Sequence, residues 1–490
     1  MSASKVMAVR ETDTTARHRT AYATGHAVIS AKNMLFHFVF LFFFVQVKGI
    51  DEGLVMAATV LAIVIDAVSD PVMGQISDNT RSRFWGRRHG WILLSSVPTA
   101  AALVLLFSPP AGMSGTALFA RMATFMIATR ILITGYTVPY FALAADMSSH
   151  YDERTSIVGI RTIGEQVFNL LVFVLAFLVF LPDREGLEDG MLYEPGYAPL
   201  VLTLGVIGVV AALVMTAGTW DKRAATQPRN WERGAPWHSA FGQLASTMRL
   251  AEFRTLTLGF SLLVALYSTI SQLSLFVGVY LWQFDQTAKF VTSIIPVLVI
   301  IPAALFAGWL SRRRDKRSAV LWLTWTFGIS FSVPFVLYLA GLTPPIGTHA
   351  LLLLVALTSG LGYAGMVGSL ILSYSMMADV SDMVTLREGR KREALLFAAF
   401  TFANKLAFAI GLVVATLGLQ LIDLPKGALP SEISDLTTAR LAVFSVAANL
   451  LLAAAAWAAY RGYTLTRERH AALQEQLREA RPVEGGVAEL

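Results

Sequence analysis

The sequence predicts an all-α membrane protein with twelve transmembrane helices in two six-helix bundles. Three observations predict it. First, 55% of the 490 residues are hydrophobic and only 15% are charged, whereas soluble domains carry about 25% charged residues; mean hydropathy is +0.59. Second, apolar stretches long enough to cross the hydrocarbon core recur along the whole chain. Third, two short patterns repeat at nearly one spacing. Gly74-Gln-Ile-Ser-Asp78, followed by arginines, returns 234 positions later as Gly308-Trp-Leu-Ser-Arg312, again followed by arginines. Ala145-Asp146-Met-Ser148 returns 233 positions later as Ala378-Asp379-Val-Ser381. The shared period indicates an internal duplication with parallel halves, which places a substrate site between them near the midplane.

The elements follow in order. Residues 1–22 form a polar N-terminal tail. The apolar run after it is too long for the core of a signal peptide and is expected to stay as the first span. The N-terminal bundle (23–219) holds spans near 23–48, 53–77, 90–110, 116–145, 156–182 and 198–219. Residues 220–252 are polar, with Pro228, Pro236 and several arginines, and form a central loop. The C-terminal bundle (253–460) holds spans near 253–282, 287–311, 318–340, 347–377, 393–422 and 437–460. The tail 461–490 alternates charge (Arg467, Glu468, Arg469, Glu475, Arg478, Glu479) and extends the last helix before fraying at Pro482.

One set of loops is basic: Arg81, Arg83, Arg87 and Arg88; Lys222, Arg223, Arg229 and Arg233; Arg312 to Arg314 with Lys316 and Arg317. The other set is acidic or nearly neutral, as in Asp183, Glu185, Glu188, Asp189 and Glu194. The positive-inside rule makes the basic set cytoplasmic, together with both termini. The net charge of +6 is therefore topogenic and does not point to a nucleic-acid partner. The absence of cysteine excludes disulfides, thiol chemistry and thiolate metal sites.

The most informative fragment is Leu61-Ala-Ile-Val-Ile-Asp66-Ala-Val-Ser-Asp70-Pro71. A carboxylate near the bilayer centre costs roughly 2.5–3.5 kcal/mol on insertion scales. Two of them four residues apart share one helix face. Such a face suits a polar cavity that takes a small hard cation or a proton; alternatively, the acids neutralise nearby Lys or Arg and hold helices together. Two like charges left ionised side by side repel, so one of them is expected to hold a proton readily.

The loop that follows reads Gly74-x-x-x-Asp78-x-x-Arg81-x-Arg83-x-x-Gly86-Arg87-Arg88 and resembles the cytoplasmic signature of the major facilitator superfamily. An acid at a helix end beside arginines can form a charge latch, with Gly74, Asp78, Arg87 and Arg88 as gating residues; plain topogenic charge is the other explanation. Further elements narrow the resemblance: Pro139-Tyr140, Ala145-Asp146, Asp152-Glu153-Arg154-Thr155-Ser156, Asp382, Glu388-Gly-Arg-Lys-Arg392-Glu393 and an intramembrane Lys405. Together with Asp66 to Pro71 they resemble the glycoside–pentoside–hexuronide:cation symporters over almost the whole chain.

The resemblance implies a major facilitator fold, sodium-, lithium- or proton-coupled sugar uptake, and a bacterial inner-membrane location. It places the cation site at Asp66, Asp70, Ser69 and Thr134, with Lys405 linked to it. Ser69 stands where the family's best-known member has Asn, which puts cation selectivity in question. Two carboxylates and two hydroxyls are the hard oxygen ligands an alkali cation prefers. Na⁺ or H⁺ is thus the expected coupling ion, held at Asp66 and Asp70, and no other cofactor is expected.

The sugar site departs from that member. Its two sugar-binding aspartates fall on Ser30 and Thr137, and its aromatic platform falls on Phe141 instead of Trp, while a helix-five arginine is kept as Arg161. Each lost hydrogen bond to a charged group is worth roughly 1.5–3 kcal/mol, so a galactoside is not the expected substrate. Ser30, Lys32, Thr137, Tyr140, Phe141 and Arg161 are the substrate-binding candidates. Lys32, Arg130 and Arg161 make the cavity more positive, which favours an anionic solute such as a hexuronide; alternatively, Lys32 pairs with Asp66 or Asp70, and Arg161 with Glu165.

Other features carry less. His26 and His37 are read as packing or hydrogen-bonding residues, Phe42-Phe43-Phe44 as lipid or helix contact, and Gly360-Leu-Gly362-Tyr-Ala-Gly365 as a close helix crossing. No nucleophile triad, metal cluster or nucleotide loop is present, so an enzyme is not expected. The expected partners are a small solute and the bilayer, with a monomer sufficient. Two other functions fit the same scaffold: a lysolipid or amphiphile carrier, and a non-transporting membrane sensor.

Overall fold

The computed structural model describes residues 14–82, 84–148, 151–224, 250–388, 393–465, 467–469, 473 and 475. Among these, twelve helices are long and apolar enough to cross a membrane. They are α1 (Ala16–Val47), α2 (Glu52–Asn79), α3 (His89–Phe107), α4 (Gly115–Met147), α5 (Ser156–Phe180), α6 (Glu194–Gly218), α7 (Ala251–Leu281), α8 (Gln286–Arg313), α9 (Lys316–Leu339), α10 (His349–Leu386), α11 (Ala399–Ile422) and α12 (Asp435–Arg461). Each overlaps one apolar run of the sequence. Most of the central loop, the start of the N-terminal tail, the end of the C-terminal tail, Arg83 and Gly389 to Arg392 lie outside the described residues.

The described residues fall into two compact units. The first takes those of Met1–Gly234 together with Phe284–Phe290 and Pro425–Ile433. The second takes those of Ala235–Gln283, Val291–Leu424 and Ser434–Leu490.

In the first unit, α1 is interrupted by π-helical turns at Leu35–Val39 and Phe43–Val47. Phe42, Phe43 and Phe44 are fully buried, and Phe43 and Phe44 lie against Phe107 of α3, so this triplet is helix contact. Gly25 lets α1 approach its neighbours: a Cβ there would stand 2.7 Å from the Tyr140 ring and 2.8 Å from Met215 Sδ. The Tyr136 hydroxyl of α4 donates to the Gly25 carbonyl at 2.7 Å. Helix α2 starts on an Asp51 cap, whose carboxylate accepts from the Gly53 and Leu54 N–H groups. Pro71 sits inside α2 directly after Asp70; lacking an N–H, it leaves the residue-67 carbonyl without its helical partner.

At the end of this unit opposite the basic loops, Asp189 is buried and accepts from the Gln286 side chain at 2.9 Å while pairing with Lys289. Burial pushes the Asp189 carboxyl above its ordinary range, although the Lys289 charge pulls the other way. The second unit packs α7, α9, α10, α11 and α12 around Phe260, Leu323, Met376, Phe400 and Tyr460.

Candidate functional site

Asp66 and Asp70 lie one turn apart on α2, and Arg130 and Thr134 lie one turn apart on α4. The two i,i+4 pairs face each other within the first unit. Arg130 Nη1 donates to Asp66 Oδ2 at 3.1 Å. The Thr134 hydroxyl stands 3.1 Å from Asp70 Oδ1, 3.5 Å from Asp66 Oδ1 and 3.3 Å from Ser69 Oγ. One hydroxyl proton cannot serve all three, so Thr134 is an oxygen hub between two carboxylates. The site is sheltered: Asp66 is 7% exposed and Thr134 2%. The structure thus brings together the four residues of the expected cation site.

Arg130 is the residue whose part differs from the sequence reading. The sequence puts its charge into a positive cavity, but the guanidinium is offset by Asp66 and lies 4.9 Å from the Phe36 ring of α1. Its position one turn before Thr134 on α4 was the available signal. Among the described residues no group of three or more His, Asp or Glu side chains is placed to hold a metal ion. The cluster of two carboxylates and two hydroxyls is chemistry for an alkali cation or a proton.

A second polar group lies toward the start of α1. Ser30 is buried and meets His26 Nδ1 at 3.2 Å; His26 Nε2 faces Glu165 of α5 at 3.7 Å. Among the described residues Arg161 forms no ion pair with Glu165; its guanidinium lies over the Phe141 ring at 5.1 Å, and Phe141 is 44% exposed. An aromatic face and a cation are therefore presented together. Thr137 is half-buried one turn before Phe141. Tyr140 is fully buried, stacks on Tyr22 at 4.6 Å and donates its hydroxyl to the Tyr22 carbonyl at 3.1 Å. Its atoms are engaged in joining α1 to α4. Lys32 is half-buried on α1. Lys405 is half-buried on α11, in the second unit.

Three of the four candidate gating residues, Asp78, Arg87 and Arg88, cluster with Asp146 inside the first unit. Gly86 takes a left-handed φ of +67° and turns the loop back. Arg88 Nη2 pairs with Asp78 at 2.6 Å, and Arg88 Nη1 donates to Ser77 Oγ at 2.6 Å. Arg87 and Arg88 converge on Asp146 at the end of α4, with bonds of 2.9, 2.9 and 3.0 Å. The sequence offers Asp146 as half of a repeat and as part of the family motif; in the structure it is the acid on which both arginines converge. Its counterpart Asp379 binds Lys316 through both oxygens, at 2.8 and 2.6 Å, in the second unit. A Cβ placed on Gly74 would stand 4.0 Å from Val138 Cγ1 of α4.

Comparisons with known proteins agree with this architecture. The family model described as MFS/sugar transport protein matches residues 21–467. An uncharacterized symporter of Synechocystis sp. is 26% identical over 94% of this chain and 96% of its own. The putative glycoside/cation symporter YagG of Escherichia coli is 23% identical over 97% of both chains. The sodium-dependent lysophosphatidylcholine symporter 1 of Gallus gallus is 24% identical over 89% of this chain and 84% of its own. Among solved structures, the nucleoside transporter NupG superposes with a TM-score of 0.60 at 12% identity, covering 91% of this chain and 98% of that one. With its twelve spans and a match across most of its length, the chain belongs to the MFS/sugar transport family, a family of membrane transporters.

Proposed function

We propose that this protein is a secondary active transporter that carries a glycoside, oligosaccharide or hexuronide together with Na⁺ or H⁺ by alternating access. The observation that carries the proposal is the sheltered oxygen cluster of Asp66, Asp70, Ser69 and Thr134, with Arg130 held against Asp66. A cation entering between the carboxylates competes with Arg130 for Asp66. Released from that pair, Arg130 is a charge that α4 must accommodate elsewhere, so cation binding is felt along α4. Thr137 and Phe141 lie one and two turns further on the same helix, so solute binding and cation binding share a structural element. A proton on either carboxylate produces the same neutralisation and is the alternative coupling ion. Lys405 completes the proposal as the residue that answers the cation's presence. Each charge moved across 100 mV contributes about 2.3 kcal/mol to accumulation.

A second reading is a lysolipid carrier. It is favoured by Ser30 and Thr137 in place of carboxylates, by the exposed Phe141, and by likeness to a sodium-dependent lysophosphatidylcholine symporter. A thermal-shift screen of the purified protein tests both readings. Its panel holds neutral glycosides, hexuronides and lysolipids, each in sodium and in choline buffer. A shift that requires both a sugar and sodium supports the symporter reading. A sodium-dependent response to lysolipid and to no sugar replaces it with the second. A sugar response that is indifferent to sodium but grows at low pH assigns the proton as coupling ion.

A further inference from the structure

The second unit contains a cavity of about 530 Å³ between α8, α9 and α10, within the range of about 300–1,000 Å³ usual for ligand pockets. We propose that it binds one anionic phospholipid of the cytoplasmic leaflet, with an acyl chain in the cavity and the phosphate at Arg313 and Arg314. The inference goes beyond the transport reading and does not depend on which solute is carried.

The shape suits a chain. Its lining includes small residues, Ala303, Ala364 and Gly365. Gly365 has no room for a side chain, since a Cβ would stand 2.6 Å from the Leu323 carbonyl, so α9 and α10 close tightly beneath the cavity. The walls are bulky and apolar, among them Phe306, Trp309 and Trp322. These walls are open to the side, with Trp322 68% exposed. Apart from Thr326 and Arg314 the lining is apolar, and it offers an aliphatic chain dispersion contacts.

The mouth suits a phosphate. Helix α8 ends in Arg312-Arg313 and is followed by Arg314, all three exposed, and Arg314 itself lines the cavity. Arg313 lies 4.7 Å from the Trp309 ring and Arg314 lies 5.9 Å from the Trp322 ring. The rings hold the guanidinium groups at the rim and leave their N–H donors for an anion. Among the described residues, no carboxylate forms an ion pair with any of the three arginines. The nearest acid in sequence, Asp315, accepts from the Arg467 backbone N–H at 3.2 Å. Tryptophans beside arginines at the basic end of a span mark the level of the headgroups, and basic pockets between helices on the cytoplasmic side attract anionic lipid heads.

The test uses the full chain, purified and delipidated in detergent. Phosphatidylglycerol and phosphatidylcholine with identical acyl chains are titrated in turn and bound lipid is counted by native mass spectrometry. One phosphatidylglycerol per chain is expected, held roughly tenfold more tightly than phosphatidylcholine. The double variant R313Q/R314Q, altered only at exposed side chains, is expected to erase that preference. Phosphatidylglycerol with brominated acyl chains should quench tryptophan emission, and Trp309→Phe with Trp322→Phe should remove most of the quenching. Equal binding of the two lipids overturns the proposal, as does a preference that survives R313Q/R314Q. Quenching that persists without the two tryptophans places the acyl chain elsewhere and also overturns it.

Discussion

Helices α2 and α8 occupy equivalent places in the two halves of the duplication and have diverged in opposite directions. Each ends in a Gly-x-x-Ser-containing turn followed by arginines, with Gly74 and Gly308 separated by 234 positions. Each half also keeps an acid that binds a basic residue of an earlier loop or helix start, Asp146 with Arg87 and Arg88, Asp379 with Lys316. Within the spans the likeness stops. The positions 234 residues beyond Asp66 and Asp70 are Ile300 and Ala304. The first half thus carries two carboxylates of an oxygen cluster where the second has two apolar side chains, and the cavity of the second half is lined by neighbouring positions such as Val299 and Ala303. The two halves share ion pairs that anchor helix ends and differ in their buried chemistry.

The largest effect that tests this division is at Asp66. Asp66→Asn removes a carboxylate from the oxygen cluster and leaves the Arg130 guanidinium buried without its counter-charge. Breaking a buried pair from one side costs about 3–5 kcal/mol. Thermal unfolding of Asp66→Asn should show a loss of that order, together with the end of sodium-stimulated binding. Adding Arg130→Gln should recover most of the stability and none of the sodium response. If sodium still stimulates binding in the double variant, Asp66 is no part of the site and the contrast between the halves is only structural.

The reverse experiment places the first half's chemistry in the second. Ile300→Asp with Ala304→Asp recreates the spacing on α8 but without an arginine or threonine opposite. Each carboxylate should cost roughly 2.5–3.5 kcal/mol on insertion scales, and no new sodium response should appear in the thermal shift. A sodium-dependent stabilisation of this variant would mean that the carboxylate pair alone makes the site, and that Thr134 and Ser69 are incidental.

Smaller differences are expected between the two anchoring acids. Asp146 gathers two guanidinium groups through three bonds, and Arg88 is almost wholly buried. Asp379 meets the Lys316 ammonium, whose side chain is 31% exposed. Hydrogen bonds to charged groups are worth roughly 1.5–3 kcal/mol when sheltered, and exposed pairs no more than about 1 kcal/mol. Asp146→Asn should therefore lower stability by about 2 kcal/mol and Asp379→Asn by about 1 kcal/mol. Equal losses would show that both halves depend on their latch alike, whatever its geometry.

How much of this was legible in the sequence depended on the range of the interaction. The spans were legible because twenty apolar residues in a row have few other uses, and the cation cluster because Asp66 and Asp70 are anomalous in such a run. The role of Arg130 was not, since a lone intramembrane arginine does not announce which acid it faces; only the packing of α2 on α4 decides that. Asp146 was noticed as a repeat but not as a hub, because its partners lie 58 and 59 residues away across a loop. Tyr140 looked like a substrate contact, and its bond to the Tyr22 carbonyl could not be read without knowing that α1 and α4 touch there. The apolar cavity had no signature at all, as its lining residues are those of any span.

The smallest expected effect concerns the two glycines that first exposed the duplication. A Cβ on Gly308 would meet nothing within 4 Å, and on Gly74 only Val138 Cγ1 at 4.0 Å, an ordinary contact. Neither position lies among the left-handed glycines of the chain. Since Ala is the better helix former by about 0.8–1.0 kcal/mol, Gly74→Ala and Gly308→Ala should leave thermal stability unchanged or slightly raised. A static packing requirement is therefore not what these glycines answer. If they serve the approach of helices during the transport cycle, each variant should keep its stability and its sodium-dependent ligand shift while uptake into vesicles falls. Uptake equal to that of the unaltered protein in both variants would remove Gly74 from the gating residues and reduce the repeated glycine to a relic of the duplication.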